Sequence, residues 1–101
     1  MSKAHLETLK QELTKGQAQL FDIREESEWD EGHLPSAVFV PLSGIRENKI
    51  PANLDTSKKT YIHCRSGNRV KTGGPLLQEM GFKNLVILYE GYEELKQEGV
   101  N

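Results

Sequence analysis

Cys64, the only cysteine of this chain, lies at a position where chemistry is expected rather than packing. It follows a short apolar, β-prone run and opens a polar loop that reads Cys64-Arg65-Ser66-Gly67-Asn68-Arg69. The loop offers consecutive backbone N–H groups, a glycine able to take positive φ and two guanidinium groups, so it can surround the sulfur as an anion-binding concavity. Such a setting favours the thiolate, which is the nucleophilic form of cysteine. We therefore predict that Cys64 is a nucleophile with a lowered pKa.

Two other roles of Cys64 have to be weighed against this one. Free cysteine is among the most often buried residue types, so a structural role is one alternative. A catalytic Cys-His pair with His63 is another, but adjacent residues of a strand point to opposite faces, and we expect His63 to pack in the sheet. Without a neighbouring base, the reaction must start from a preformed thiolate. This suits attack on sulfane sulfur or phosphorus better than amide hydrolysis, which needs a protonated leaving group.

Further polar residues stand near the ends of predicted strands. We expect the guanidinium groups of Arg65 and Arg69 to attract an oxyanion, whose geometry matches their planar fork. Asp22 and Arg24 are predicted to form a structural ion pair or a helix cap. His33 is predicted to order a turn by hydrogen bonding. Three aromatic residues are expected in the core or in the wall of a groove: Trp29, Tyr89 and Tyr92.

Composition limits the cell compartments and partners. A net charge of −2, from 13 basic and 15 acidic residues, gives no general attraction to nucleic acid or to a membrane surface. No apolar run approaches the roughly 18 residues of a membrane span, and the start lacks a secretory apolar segment. One cysteine forms no internal disulfide, and it shows no zinc-type spacing with the three histidines. We expect a single cytoplasmic domain spanning residues 1–101, without a metal site.

The remaining pattern predicts strands that alternate with helices. Apolar runs predict strands at Ala18 to Ile23, Ala37 to Val40, Thr60 to His63 and Leu85 to Tyr89. Helices are predicted around Leu6, Leu9 and Leu13 up to Gly16, at Glu26 to Glu31, around Ser43 to Glu47, at Gly67 to Met80 and at Tyr92 to Glu98, with a surface loop at Asn48 to Lys59. This order favours an α/β fold with a central, mostly parallel sheet of four to five strands flanked by helices on both faces. Cys64 then lies at the carboxyl end of a strand, where such sheets bind ligands, and the next helix directs its positive dipole end at the sulfur.

Several short motifs follow one another in an order typical of one family. They are the Asp-x-Arg at Asp22 and Arg24, an acidic and aromatic stretch with Glu28 and Trp29, Gly-His-x-Pro-x-Ala from Gly32 to Ala37, the loop from Cys64 to Arg69, and Gly81-Phe82 before an apolar strand. From about Leu20 to Gly91 the chain resembles the rhodanese family of sulfurtransferases, in its single-domain form. The resemblance implies a rhodanese domain in which Cys64 accepts sulfur.

The resemblance also implies a reaction. The thiolate takes the outer sulfur of thiosulfate or another sulfane donor, sulfite leaves, and the resulting persulfide passes its sulfur to cyanide or to a thiol such as glutathione or a thioredoxin-like protein. Backbone N–H groups of Arg65 to Arg69 would hold the persulfide, and the arginine side chains would attract the anionic donor. No metal or organic cofactor is needed. Asp22, Arg24 and His33 would support the site.

Two alternatives remain beside this reaction. Related dual-specificity phosphatases and arsenate reductases have a seven-residue loop, whereas the six residues here favour a single sulfur over a phosphoryl group. A persulfide carrier that serves a protein partner is the other alternative, indicated by an acidic rim at Glu90, Glu93 and Glu94. The chain also departs from the family after the loop, where Gly73-Gly74-Pro75 replaces small alanines and predicts a kinked or restarted helix.

Overall fold

The computed structural model describes residues 3–101, so the first two residues of the predicted domain lie outside the description. The helices in this range are α1 (Ala4–Thr14), α2 (Glu26–Glu31), α3 (Leu42–Arg46), α4 (Val70–Glu79) and α5 (Tyr92–Gln97). The strands are β1 (Ala18–Asp22), β2 (Ala37–Phe39), β3 (Lys59–His63) and β4 (Leu85–Ile87). Among residues 3–101 there is no helix with the length and apolar character to cross a membrane.

The four strands form one parallel sheet in the order β2-β1-β3-β4. The two central strands, β1 and β3, have neighbours on both sides and helices on both faces, which explains why their apolar runs are continuous rather than alternating. Asp22 pairs in register with His63. The carboxyl ends of β1 and β3 therefore lie side by side, and Cys64 follows immediately. The predicted α/β architecture is confirmed.

Side chains on opposite faces of the sheet enter two separate clusters of buried residues. On one face, Phe21 and Ile62 pack with side chains of α3 and α4. On the other, Leu20 and Tyr61 pack with side chains of α1 and α5. This alternation follows from the period of two along a strand. The helices thus cover both faces and leave the carboxyl edge of the sheet to the loops.

Helix α4 begins at Val70, three residues later than the predicted start at Gly67. Gly67 has φ of 85°, which no α-helical residue adopts. The prediction of a helical Gly67 was wrong because the residues after Cys64 curl around the sulfur before the helix begins. The first residue of the helix, Val70, therefore directs its N–H at the sulfur.

The predicted restart of α4 at Gly73-Gly74-Pro75 was also wrong, since the helix continues through Pro75 to Glu79. The two glycines serve packing instead. A Cβ on Gly73 would lie 2.8 Å from Cδ1 of Ile23, and one on Gly74 would lie 2.9 Å from Cδ1 of Ile87. Small residues at both positions let the helix approach the sheet closely.

The last strand is shorter than its apolar run. β4 ends at Ile87, and Tyr89 is 60% exposed, so the predictions of a strand to Tyr89 and of Tyr89 in a core or groove wall were wrong. Leu88 remains buried. After it the chain turns out of the sheet and passes beside the cysteine loop.

Candidate active site

Backbone N–H groups surround the Cys64 sulfur. Cys64 follows β3 directly and is 1% exposed. Burial alone would raise its pKa, but hydrogen bonds from the backbone N–H groups of Ser66, Val70, Gly67 and Arg69 outweigh burial and lower the pKa below the ordinary thiol value. The anion is thus stabilised by main-chain donors, whose positions are fixed by the loop.

The loop is held by close backbone contacts with the segment after β4. A Cβ on Gly67 would lie 2.5 Å from the carbonyl oxygen of Tyr89, and one on Gly91 would lie 1.7 Å from the carbonyl oxygen of Arg65. The backbone N–H of Tyr92 donates to the carbonyl of Cys64 at 3.0 Å. Glycine is required at both places because no side chain fits between the two backbones.

Sequence reasoning missed Val70 and Gly91 as residues of the site. Val70 supplies an amide to the sulfur although it lies outside the six-residue loop. The late start of α4 accounts for this, since the N–H groups of the first helical turn have no partner within the helix. The available signal for Gly91 was a glycine placed just after a predicted strand and before a predicted helix.

The side chain of His63 contacts the backbone of Cys64 and takes no part in proton transfer at the sulfur. It is fully buried, and its Nδ1 lies 3.2 Å from the carbonyl oxygen of Cys64. Its Nε2 lies 3.7 Å from Oδ2 of Asp22 and makes no hydrogen bond within residues 3–101. Burial lowers the pKa of His63, although the Asp22 carboxylate acts in the opposite direction. The predicted packing of His63 in the sheet is confirmed.

Asp22 and Arg24 form the predicted ion pair at the carboxyl end of β1. Both are buried, and Nε and Nη2 of Arg24 donate to the carboxylate of Asp22 at 2.8 to 3.0 Å. Nη2 also donates to the carbonyl of Gly32 at 2.7 Å, and the guanidinium lies 4.2 Å from the ring centre of Tyr92. The pair therefore connects the end of β1 with α2 and α5. Its support of the cysteine loop stays a prediction.

The two loop arginines have different environments. Arg69 is half-buried, and its Nη1 and Nη2 donate to the two carboxylate oxygens of Glu28 at 2.6 and 2.8 Å. This pairing lowers the pKa of Glu28 to about 2. Arg65 is exposed and makes no ion pair within residues 3–101. Of the two loop arginines, Arg65 is thus the one whose guanidinium is unpaired within residues 3–101, and the role of either arginine in binding a donor stays a prediction.

A cleft of about 340 Å³ adjoins the loop. It is lined by Arg24, Glu28, Glu31, Gly32, Arg65, Tyr92, Glu93 and Lys96. Tyr92 thus forms part of a groove wall, as predicted. Of the predicted acidic rim, Glu93 lines this cleft, whereas Glu90 and Glu94 do not; Glu90 pairs with His5 and Glu94 with Lys3. The prediction of a rim formed by all three residues was therefore wrong.

The other predicted site residues lie at the surface. His33 Nδ1 lies 2.9 Å from the carbonyl oxygen of Trp29, and the two rings stack at 3.5 Å, so His33 orders a turn as predicted. Asn68 and Ser66 are exposed, with Nδ2 of the asparagine 3.5 Å from Oγ of the serine. A catalytic role of these side chains has no support from their contacts.

We expect the thiol of Cys64 to titrate below the ordinary pKa of about 8.5 for a free cysteine. The reason is the set of four amide donors, which stabilises the thiolate. The pKa of the thiol is measured by following the rate of reaction with iodoacetamide and the ultraviolet absorbance of the thiolate against pH. Both signals come from Cys64 because the chain has one cysteine. Because the folded pKa is lowered, the thiolate stabilises the fold above the ordinary pKa, and this contribution is lost as pH falls through the lowered value. A midpoint at or above the ordinary value would contradict the geometry.

The comparison with family models decides the family. The model of the rhodanese-like domain matches residues 5–98, almost the whole chain. This chain belongs to the rhodanese-like family. The motifs from Asp22 to Phe82 and the loop after β3 are therefore those of a sulfurtransferase family, and the resemblance drawn from the sequence is confirmed.

Curated relatives of this rhodanese-like chain come from bacteria and eukaryotes. "Putative sulfur carrier protein YrkF" of Bacillus subtilis is 28% identical over 90 residues, covering 88% of this chain and 48% of the relative. "Putative sulfurtransferase YtwF" of the same organism is 38% identical over 68 residues, covering 67% of this chain and 64% of the relative. The chain thus spans less than two thirds of the length of either relative.

Solved structures agree with the fold. The human single-domain sulfurtransferase TSTD1 superposes with a TM-score of 0.74 at 21% identity, covering 92% of this chain and 93% of that one. The single-domain sulfurtransferase RDL2 of Saccharomyces cerevisiae superposes with a TM-score of 0.75 at 20% identity, covering 93% and 87%. The rhodanese fold is therefore shared at low sequence identity.

Proposed function

We propose that this rhodanese-like protein transfers sulfane sulfur from thiosulfate or another sulfane donor to a thiol or cyanide acceptor through a persulfide on Cys64. The observation that carries the proposal is the set of four backbone N–H groups on the sulfur of the only cysteine. A thiolate prepared in this way needs no general base. This fits His63, whose buried side chain contacts the Cys64 backbone and not the sulfur.

The first half of the proposed cycle loads the enzyme. The Cys64 thiolate attacks the outer sulfur of the donor, and a new S–S bond forms at Cys64. In thiosulfate the bond between the two sulfur atoms breaks, and sulfite leaves with the electron pair. The charge then resides on the outer sulfur of the persulfide, within reach of the same main-chain donors.

The second half of the cycle unloads it. A thiolate or cyanide attacks the outer sulfur, the S–S bond at Cys64 breaks, and the electron pair returns to the Cys64 sulfur. The products are a persulfide of the acceptor or thiocyanate. A thiol acceptor such as glutathione or a thioredoxin-like protein, in a reducing cytoplasm, fits this step because the acceptor must be kept as a free thiol.

The test is intact-mass spectrometry of the whole protein. Incubation with thiosulfate should add the mass of one sulfur atom, and cyanide should then remove it. Peptide mapping should place the added atom on Cys64. A protein that gains no sulfur from thiosulfate or from a persulfide donor would contradict the proposal.

A persulfide carrier with little turnover is a second candidate. It is favoured by the cleft beside the loop, which at about 340 Å³ is large for thiosulfate and has room for part of a protein partner. The name of the relative, "Putative sulfur carrier protein YrkF", points the same way. Stopped-flow loading from thiosulfate, compared with loading from a persulfidated donor protein, separates the two functions. Much faster loading from the protein would favour the carrier.

A further inference from the structure

One of the two loop arginines, Arg69, already holds an anion of this chain. Nη1 and Nη2 of Arg69 donate in parallel to the two oxygens of Glu28, which is also how a guanidinium binds an oxyanion donor. Glu28, and to a smaller extent the Cys64 thiolate, raise the pKa of Arg69, so the guanidinium lies within electrostatic reach of the sulfur. A donor that is to use Arg69 has to displace this carboxylate.

Glu28 is held in place independently of Arg69. It occupies the third position of α2, where its Oε1 accepts the backbone N–H of Glu25 at 3.0 Å in a capping box. The side chain is therefore ordered before it meets the arginine, and little further conformational entropy is lost in forming the pair. A freely diffusing anion competes with a carboxylate that is already positioned.

The charges of the cleft beside the loop offer little compensation to a dianion. Arg65 and Lys96 are cationic, but Glu31 and Glu93 line the same cleft. Within residues 3–101 neither of these glutamates has a cationic partner at ion-pair distance. The cleft is thus close to neutral, so a doubly charged donor gains less there than it would in a basic pocket.

We propose that Glu28 is a specificity-determining residue. Its carboxylate occupies the guanidinium of Arg69 and thereby selects donors of low charge, such as persulfides of thiols, over dianions such as thiosulfate. This inference deepens the proposed sulfur transfer and rests on it. The chemistry at Cys64 is the same for either donor class, so Glu28 changes which donor is used rather than how sulfur moves.

The experiment compares thiosulfate with methanethiosulfonate, which has one negative charge fewer and the same kind of S–S bond. In Glu28→Gln, the amide oxygen can still accept the Glu25 N–H, so the capping box is preserved while the guanidinium is freed. We expect the ratio of kcat/KM for thiosulfate to that for methanethiosulfonate to rise about fivefold or more. In the wild type, methanethiosulfonate should be the better donor. This last measurement does not depend on how the variant folds.

Glu31→Gln is the matched control, because it removes one negative charge from the same cleft without freeing an arginine. Its ratio should change by less than about twofold. An unchanged ratio in Glu28→Gln, an equal change in Glu31→Gln, or a wild type that prefers thiosulfate would overturn the role of Glu28 and leave the proposed function standing. A wild type that is loaded by neither donor nor by a thiol persulfide would overturn both.

Discussion

Cys64→Ser is expected to lose sulfur transfer, with a rate at least about a thousandfold below that of the wild type. Serine is a matched replacement because its hydroxyl fits where the thiol lies and can accept the same amide hydrogen bonds. Its hydroxyl stays protonated at neutral pH and forms no persulfide. Thiocyanate production from thiosulfate and cyanide measures the rate, and intact mass measures the loading.

Two controls distinguish loss of chemistry from loss of structure. The variant should keep the circular dichroism spectrum of the wild type and melt within a few degrees of it, because the substitution changes one buried atom. Alkylation of the wild type with iodoacetamide should reproduce the loss of activity, since the chain has no second cysteine. Transfer that persists in the folded variant would show that sulfur does not pass through Cys64.

The nucleophile and its surroundings could be predicted from the sequence because they are local in it. The apolar run up to His63 and the polar loop that begins at Cys64 define the end of a strand by themselves. The pairing of Asp22 with Arg24 was predictable for the same reason, as the two residues are separated by only one position and their carboxylate and guanidinium meet in the structure. Patterns of this kind require no knowledge of how distant segments pack.

The ion-pair partner of Arg69 could not be predicted in this way. Its partner Glu28 lies 41 positions earlier in the chain. The two meet because the parallel sheet places the segments after β1 and β3 side by side. From the sequence both side chains were equally compatible with exposure to solvent, and the arginine was therefore assigned to a donor anion. The structure shows that an internal carboxylate occupies it.

The boundary between loop and helix was missed for a related reason. Helical propensity alone does not indicate that Ser66, Gly67 and Arg69 direct their N–H groups at a sulfur. That conformation depends on the anion at the centre and on the segment against which the loop packs. Gly67 takes its positive φ where a Cβ would lie only 2.5 Å from the carbonyl oxygen of Tyr89. This tertiary contact outweighs the local preference. As a result, the amide of Val70 is also one of the donors to the Cys64 sulfur.

A second backbone contact of the loop, between Gly91 and Arg65, makes Gly91 a sensitive position outside the loop. Gly91 has φ of −84° and ψ of 177°, an extended conformation that any residue adopts, so an alanine here suffers no backbone strain of its own. The obstacle is space. The added Cβ would lie 1.7 Å from the carbonyl oxygen of Arg65 and 3.1 Å from the backbone nitrogen of Ser66, which donates to the thiolate. One of the two backbones must therefore move.

We expect Gly91→Ala to lower kcat/KM at least about a hundredfold, because a displacement of about 1 Å in the positioning of a reacting group has effects of this size. It should also raise the pKa of Cys64, as the amide donors lose their alignment, and lower the free energy of unfolding by about 1 to 3 kcal/mol. Sulfur transfer, thiol titration and denaturant unfolding measure the three effects. Gly16→Ala is the control, since Gly16 has φ of 70° and open space around it, so its cost falls on stability alone. A Gly91→Ala protein with a wild-type thiol pKa and wild-type transfer would show that the segment after β4 does not hold the sulfur-binding loop in place.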